Sequence, residues 1–350
     1  MENKLKSKYN WPFTGNKKVV DFLSRSLSND KLAGAYIFSG PDNMGKTKIA
    51  EHFAKIILCE KRSDDLSKKP CEICSSCRKF NGKKEEEEGL AHGDFYIIKK
   101  NKDKKEISIE QIKDLIHSLS MSSFSDSYKV AIIKHTESLN EKSSNALLKI
   151  LEEPNKKVII IMVTSNIEQI LATITSRCQL IDFAPVNIDE INKFLLENHK
   201  ATRSAAKNYS RISLGRPALA LKFLEDKEFY KNYVNRLESF LDIIENNDLN
   251  KKLSIVSLMI KKDISGIESN AILKRLLETL QSIYRDLYLI SYGLNNLVQN
   301  EIVDNRLKKN QAKNNIEKII KILNEIEKSN EYIDANLSSK LILENITLSL

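Results

Sequence analysis

The most informative segment of the sequence is Ala35-Tyr-Ile-Phe-Ser-Gly40-Pro-Asp-Asn-Met-Gly45-Lys46-Thr47, in which an apolar run leads into a glycine-framed loop. The loop fits the pattern G-x-x-x-x-G-K-[ST], and a helical pattern over residues 46–58 follows it. In this arrangement backbone N–H groups surround phosphate oxygens, and the helix N-terminus adds a favourable dipole. Lysine reaches the outer phosphates, and threonine normally holds Mg²⁺. The stretch therefore predicts a phosphate-binding loop that contains Gly40, Gly45, Lys46 and Thr47.

Apolar runs rich in Ile and Val recur at residues 128–133 and 157–163 and resemble the run at 35–38. Such runs are typical of parallel strands that are buried on both faces. Helical stretches follow them, and a further helix at 109–119 begins with the capping pattern Ser108-x-x-Gln111. This alternation of strands and helices predicts an α/β fold with a parallel sheet over residues 1–185.

The pattern changes after Pro185. Residues 186–225 are expected to form three short helices, and from residue 226 onward apolar residues recur at spacings of three and four with no strand pattern. We therefore expect a small helical domain over 186–225 and an all-helical domain over 226–350.

Composition narrows the class of protein. The 350 residues include 56 Lys and Arg against 47 Asp and Glu, and only 10 Gly and 6 Pro. So few turn residues argue against an all-β sandwich, a collagen-like rod or a long flexible linker. Lys- and Arg-rich regions suit phosphate groups, and the whole surplus of positive charge lies in residues 1–225. The N-terminal residues have no apolar core typical of a secretory signal, so we expect a cytoplasmic protein without a membrane span.

Three of the five cysteines form the cluster Cys71-x-x-Cys74-x-x-Cys77, and Cys59 lies twelve residues before it. In the cytosol such clusters indicate a metal rather than disulfides. Four thiolates complete a tetrahedral, structural Zn²⁺ site, whereas Cys178 is expected to be a buried apolar residue. The alternatives to a zinc site are an iron–sulfur site or thiols that bind no metal. The alternative to Cys59 as the fourth ligand is His52 or His92.

A phosphate-binding loop that hydrolyses ATP needs a second strand whose end supplies an acidic residue for the metal. The strand at 130–133 is followed instead by Lys134 and His135, and Glu137 is a poor substitute three residues further on. A lysine repels Mg²⁺, so we expect a degenerate site that does not hydrolyse ATP. ATP or ADP can still bind, because Lys134 neutralises phosphate charge.

Residues 8–225 resemble the AAA+ clamp-loader subunits of bacterial DNA polymerase III, and most closely the delta-prime subunits. The resemblance rests on the glycine-framed loop, the cysteine cluster and five further segments. These are His92-Gly-Asp-Phe-Tyr96, Ser108-Ile-Glu-Gln-Ile112, Tyr128-Lys-Val-Ala-Ile-Ile133, Asn145-Ala-Leu-Leu-Lys-Ile-Leu-Glu-Glu-Pro154 and Thr175-Ser-Arg177-Cys178.

The resemblance implies a AAA+ sheet with a zinc module at 59–77, a helical lid at 186–225 and a helical collar at 226–350. It implies that Arg177 is an arginine finger that acts in trans on a neighbouring ATP site, and it places the segment Thr164-Ser165-Asn166 at the sensor-1 position. Motor subunits carry a lid arginine three residues after a glycine, whereas Gly215 is followed at that spacing by Ala218, and Arg216 is out of register.

These departures favour a delta-prime subunit that acts as a non-hydrolysing stator of the polymerase holoenzyme at the nucleoid. Its implied partners are the gamma/tau and delta subunits in a hetero-oligomeric ring and, through the complex, the sliding clamp and primer-template DNA. One alternative is an active gamma/tau-like ATPase in which Glu137 has taken over the metal. The other is a free-standing zinc-containing protein that binds DNA through its basic half.

Overall fold

Five parallel strands form the sheet that carries the glycine-framed loop. The computed structural model describes Tyr9 and residues 11–60, 70–81, 93–101, 104, 106–121, 128–153, 157–263, 269–311, 314–335 and 337–350. The strands are β1 (Ala35–Ser39), β2 (Phe95–Ile98), β3 (Lys129–Lys134), β4 (Val158–Val163) and β5 (Gln179–Asp182). They lie in the order β2-β3-β4-β1-β5, and every neighbouring pair is parallel. The predicted α/β fold with a parallel sheet is therefore confirmed.

The three predicted strands correspond to β1, β3 and β4, and all residues of β1 and β4 are buried. The two strands that the sequence did not reveal, β2 and β5, have four residues each and lie at the two edges of the sheet. In β5 only Ile181 is buried. An edge strand of this length has no long apolar run, which explains why the pattern did not indicate it.

The described residues divide into two compact units. Unit 1 comprises residues 1–194 and 215–219, and unit 2 comprises 195–214 and 220–350. The helices that begin in unit 1 are α1 (Lys17–Ser28), α2 (Lys46–Ile57), α3 (Ser75–Asn81), α4 (Ile109–Ser120), α5 (Glu141–Glu152), α6 (Ala172–Thr175) and α7 (Ile188–His199). Helix α9 (Pro217–Glu225) begins in unit 1 and ends in unit 2.

One face of the sheet packs on helices α4 and α5. Side chains from β1, β3 and β4 form a single buried cluster with apolar side chains of these helices, among them Leu115, Leu119 and Leu147. Each such side chain stabilises the fold by roughly 1.5–3 kcal/mol relative to an exposed one. This packing fixes the strand ends from which the loops of the site emerge.

All the regular secondary structure described in unit 2 is helical. Its helices are α8 (Arg203–Ile212), α10 (Lys227–Glu245), α11 (Leu249–Asp263), α12 (Ser269–Ser291), α13 (Asp304–Gln311), α14 (Ile316–Asp334) and α15 (Ser339–Ser349). Helix α12 packs against α10, α13 and α14. The predicted spacing of apolar residues is seen in α10, where Leu237, Phe240 and Leu241 are fully buried. His92 and Pro154 lie outside the described residues.

Helix α4 begins with the predicted capping box. The backbone N–H of Gln111 donates to the Ser108 hydroxyl oxygen, and the backbone N–H of Ser108 donates to the Gln111 side chain. Two N–H groups that have no partner within the helix are thereby satisfied.

We predict that Ser108→Ala lowers the free energy of unfolding of unit 1 by about 1 kcal/mol, because the N-cap acceptor is lost. Trp11, the single tryptophan, packs against His52 and Phe53, so its fluorescence during urea unfolding reports on this unit. Ser120→Ala, at the exposed other end of α4, is the control and is expected to leave the midpoint almost unchanged. Equal shifts in the two variants would contradict the capping assignment.

Candidate nucleotide site and cysteine cluster

The glycine-framed loop connects β1 to α2, and its two glycines have backbone conformations that other residues rarely adopt. Gly40 has φ +138°, and a Cβ there would lie 2.5 Å from the carbonyl oxygen of Phe183. Gly45 has φ +90° and is the N-cap of α2. Both positions therefore require glycine. The loop and the helix N-terminus present the backbone arrangement that binds phosphate.

Lys46, the first residue of α2, is buried, and its ammonium group donates to the carbonyl oxygen of Pro41 over 2.7 Å and to that of Gly40. Burial lowers the pKa of Lys46, while the charges of Asp42 and Glu137 counteract part of this effect. Thr47, the next residue, is partly buried at the same end of α2. The four predicted loop residues, Gly40, Gly45, Lys46 and Thr47, thus meet at one helix N-terminus.

Lys134 is the last residue of β3 and forms an ion pair with Glu51 of α2, with Nζ and Oε1 2.9 Å apart. Glu51 lies one helical turn after Thr47, so it shares a face of α2 with that residue. His135 follows in the left-handed conformation (φ +55°) with an exposed side chain. A lysine ammonium and an imidazole therefore stand where a metal-binding site would need carboxylates.

The position of the Glu137 side chain was not evident from the sequence. A single turn at Thr136–Ser138 brings its carboxylate to the end of β4, where Thr164 donates to Oε2 over 2.7 Å and Ser165 donates to Oε1 over 3.1 Å. Burial by itself would raise the pKa of Glu137, but hydrogen bonds from His135 and Thr164 outweigh it and lower the pKa to about 2. Both carboxylate oxygens are therefore engaged by side-chain donors.

The N-terminus of α9 contacts the phosphate-binding loop. The backbone N–H of Ala218 donates to the carbonyl oxygen of Asn43 over 3.0 Å. Gly215 has φ +77°, and a Cβ there would lie 2.8 Å from the side chain of Pro185. Ala218, the third residue after Gly215, therefore presents a backbone N–H group to the loop and has no cationic side chain.

Arg177 follows the short helix α6, and its side chain is exposed. The guanidinium pairs with Glu152 at the end of α5 over 2.8 Å, and Nη1 donates to the carbonyl oxygen of Thr173 over 2.8 Å. The side chain is thus an exposed cation that residues of its own chain hold in place.

The sulfur atoms of Cys59, Cys71, Cys74 and Cys77 all lie within 4.8 Å of one another. Cys59 follows α2, while the other three residues lie in and before α3. Backbone N–H groups donate to two of the sulfurs, from Cys74 to Cys71 over 3.4 Å and from Cys77 to Cys74 over 3.3 Å. Burial opposes ionisation of Cys71, but donors from the backbone of Ile73 and Cys74 lower the pKa of its thiol to about 6.

This cluster fits a metal ion. Zn–S bonds of about 2.3 Å place the sulfurs of a tetrahedron roughly 3.8 Å apart, and Cys71 and Cys77 are separated by 4.0 Å. All five cysteines of the chain are described, and all are free thiols. Cys178 lies apart from the cluster, partly buried against the core of the sheet, where burial raises the pKa of its thiol to about 12.

Comparisons with known proteins agree with this geometry. A family model described as the delta subunit of DNA polymerase III matches residues 15–187. This segment belongs to the clamp-loader family of DNA polymerase III. It contains the phosphate-binding loop, the cysteine cluster, the ends of β3 and β4, and Arg177.

Relatives of the clamp-loader segment include both kinds of subunit considered above. The delta-prime subunit of Bacillus subtilis is 31% identical over 180 residues, which cover 51% of this chain and 51% of that protein. The tau subunit of the same organism is 32% identical over 177 residues, which cover 51% of this chain and 29% of that protein. The matched segments thus span about half of the first relative and under a third of the second, and the two identities are too similar to tell which kind of subunit this chain resembles more.

A solved structure supports the same fold. A gamma subunit-related protein of DNA polymerase III from Thermotoga maritima superimposes with a TM-score of 0.53 at 15% identity and covers 93% of this chain and 97% of that one. Similarity at this identity concerns the fold alone. Among the helices that the structure describes, none has the length and apolar character needed to cross a bilayer.

We predict that Cys74→Ser removes the metal from the purified protein, because one of four thiolate ligands is lost. Metal content is measured by plasma emission spectrometry on protein purified without chelators. Cys178→Ser is the matched control and is expected to retain about one ion per chain. A wild-type protein without metal, or equal metal content in both variants, would contradict the assignment.

We predict that Glu137→Gln destabilises unit 1 by roughly 2 kcal/mol at pH 7, because the folded-state pKa of Glu137 lies below its value of 4.5 in an unfolded chain. A depressed pKa stabilises the folded state above the unfolded pKa. The difference between variant and wild type should therefore persist above about pH 4.5 and shrink as the pH falls towards 2.

The measurement is urea unfolding followed by Trp11 fluorescence between pH 7 and pH 3. Glu168→Gln, at an exposed position in the loop after β4, is the control and should show no comparable difference. A destabilisation by Glu137→Gln that does not change with pH would show that the charge of Glu137 is not its cause.

Proposed function

We propose that this chain is the delta-prime subunit of the DNA polymerase III clamp loader, a largely non-hydrolysing stator within the complex that loads the sliding clamp during replication. The observation that carries the proposal is the ion pair between Lys134 and Glu51 at the end of β3. A positive side chain there opposes the binding of a divalent cation. We also propose that Arg177 acts at the ATP site of a neighbouring subunit, and the exposure of its cationic side chain supports this role.

The phosphate-binding loop fits a nucleotide but not a bound Mg²⁺ ion. Gly40 and Gly45 allow the loop its positive-φ backbone conformation, and Lys46 supplies a buried positive charge. Mg²⁺ prefers carboxylate and water oxygens, yet Lys134 is a cation and both oxygens of Glu137 already accept hydrogen bonds. ATP or ADP would therefore be held at this loop without turnover.

Arg177 would act on the ATP site of the adjacent subunit. A guanidinium is charged at all physiological pH values and offers a planar set of donors that matches phosphoryl oxygens. Such a group stabilises the charge that spreads over those oxygens in the transition state. This role needs an arginine at the surface, which is where Arg177 lies.

The cysteine cluster would hold Zn²⁺ with Cys59, Cys71, Cys74 and Cys77 as its ligands. Four thiolates close the coordination shell, so the ion would be structural and would supply no catalytic water. It would tie the end of α2 to α3, because Cys59 follows one of these helices and Cys77 lies within the other.

The proposed domains are a AAA+ nucleotide-binding domain at 1–185, a lid at 186–225 and a collar at 226–350. The collar would join the gamma/tau and delta subunits in the ring, and the sliding clamp and primer-template DNA would be reached through the complex. The replisome would place the protein in the cytoplasm at the nucleoid. The absence of a base-reading motif disfavours a free-standing DNA-binding protein.

The test is ATP hydrolysis by the chain alone and in a mixture with a gamma or tau subunit, delta, the clamp and primed DNA. We expect no turnover by the chain alone. In the mixture we expect Arg177→Ala to lower hydrolysis at least tenfold, because a trans arginine finger supplies a large part of the rate. Arg203→Ala, an exposed arginine at the start of α8, is the matched control.

Two outcomes would contradict the proposal. Turnover by the purified chain that Lys46→Ala abolishes would favour the alternative of an active gamma/tau-like motor, in which Glu137 serves the metal. A mixture in which Arg177→Ala hydrolyses ATP and loads clamps at the wild-type rate would exclude the trans finger.

A further inference from the structure

Arg177 makes three contacts within its own chain, and these involve two separate elements. Its Nη2 lies 2.8 Å from Oε1 of Glu152, the last residue of α5. Its Nη1 donates to the carbonyl oxygen of Thr173 over 2.8 Å and to the hydroxyl oxygen of Ser176 over 3.2 Å. The last two acceptors lie beside Arg177 in the chain, whereas Glu152 is twenty-five residues away. Within the described part of the chain, Glu152 is therefore the one side-chain contact that links the arginine to another element.

Glu152 has an unfavourable position with respect to its own helix. The last turn of a helix carries partial negative charge, which favours Lys, Arg or His and disfavours a carboxylate. Glu152 and Glu153 are both exposed at the end of α5. Of these two carboxylates, Glu152 contacts Arg177, and the guanidinium offsets the repulsion. Stability of the helix does not explain this glutamate, but the arginine does.

The contacts leave part of the guanidinium available. Arginine has five N–H donors: the two on Nη1 donate to Thr173 and Ser176, and Nη2 forms the ion pair with Glu152. Among the described residues, Nε–H and the second N–H of Nη2 have no hydrogen-bond partner, and a bidentate contact with phosphoryl oxygens uses two N–H groups. A free arginine side chain samples many rotamers, and holding it in one conformation reduces the entropy that it loses when it engages a charge.

We propose that Glu152 is a positioning residue for Arg177. The carboxylate holds the guanidinium in the conformation in which its two remaining N–H groups meet the nucleotide of the adjacent subunit. The inference rests on the proposed trans action of Arg177. It adds a second residue to that action, one that contacts neither the nucleotide nor the partner's reacting atoms.

The direction of the rate change on loss of the Glu152 charge distinguishes a positioning role from a restraining one. If the ion pair restrained the finger in an inactive position, loss of the carboxylate would release Arg177 and raise the rate of the partner. A positioning role predicts a lower rate of hydrolysis instead, because loss of the carboxylate lets the Arg177 side chain adopt many conformations. Exposed ion pairs are weak, so the expected effect is a modest one on the rate of hydrolysis rather than on stability.

The experiment compares Glu152→Gln, Glu153→Gln, Arg177→Ala and the double variant Glu152→Gln/Arg177→Ala, each mixed with the ATPase partner subunit, delta, the clamp and primed DNA. Steady-state hydrolysis gives kcat and KM for ATP. We expect Glu152→Gln to lower kcat about two- to fivefold with KM unchanged, and Glu153→Gln to match the wild type. Glu152→Asp, which keeps the charge on a shorter side chain, should recover part of the rate.

The double variant separates this inference from the function on which it rests. If Glu152 acts only through Arg177, the double variant hydrolyses ATP at the rate of Arg177→Ala alone. A further fall in the double variant, a wild-type rate with Glu152→Gln, or a rate above wild type would each overturn the positioning role while the loss with Arg177→Ala stands. No loss with Arg177→Ala itself would overturn the proposed function instead.

Discussion

Parallel pairing of β1, β4 and β3 sets the position of everything else at the candidate nucleotide site. Phe38 of β1 and Lys134 of β3 are both register partners of Val163 on β4, so the three residues lie side by side. Their strands run in one direction, and each ends within a residue or two of this row. The phosphate-binding loop, the turn with Glu137 and the side chain of Thr164 follow these strands and lie together at the carboxyl ends of the strands.

In the proposed function, the charges at the carboxyl ends of these strands account for a site that holds phosphate without hydrolysing it. Hydrolysis by a phosphate-binding loop needs a carboxylate with free oxygens for the metal and for water. Here the carboxylate of Glu51 faces Lys134, and that of Glu137 faces Thr164 and Ser165. Each acidic group already has its partner within the chain. The loop backbone therefore has the conformation that suits phosphate, while the carboxylates of Glu51 and Glu137 beside it pair with side chains of the same chain.

The sequence predicted the interior of the sheet better than its edges. Strands β1, β3 and β4 are buried on both faces, so their apolar runs stand out, and the start of α4 was predicted from a local hydrogen-bonding pattern between Ser108 and Gln111. Strands β2 and β5 are short and depend on one neighbour each for their hydrogen bonds. Their conformation comes from pairing with a strand that is distant in sequence, which no local periodicity reports.

Local chemistry and spacing were enough to determine the phosphate-binding loop, the four-cysteine cluster and the absence of carboxylates at 134 and 135. Each of these depends on residues close together in the chain or on residue type alone. The tertiary structure decided three pairings, those of Lys134 with Glu51, of Glu137 with Thr164 and of Arg177 with Glu152. The partners lie 83, 27 and 25 residues apart. Only the packing of strands and helices brings such side chains within hydrogen-bonding distance. A hydrogen bond or an ion pair between different elements has no characteristic spacing in the sequence, unlike a pair within one helix.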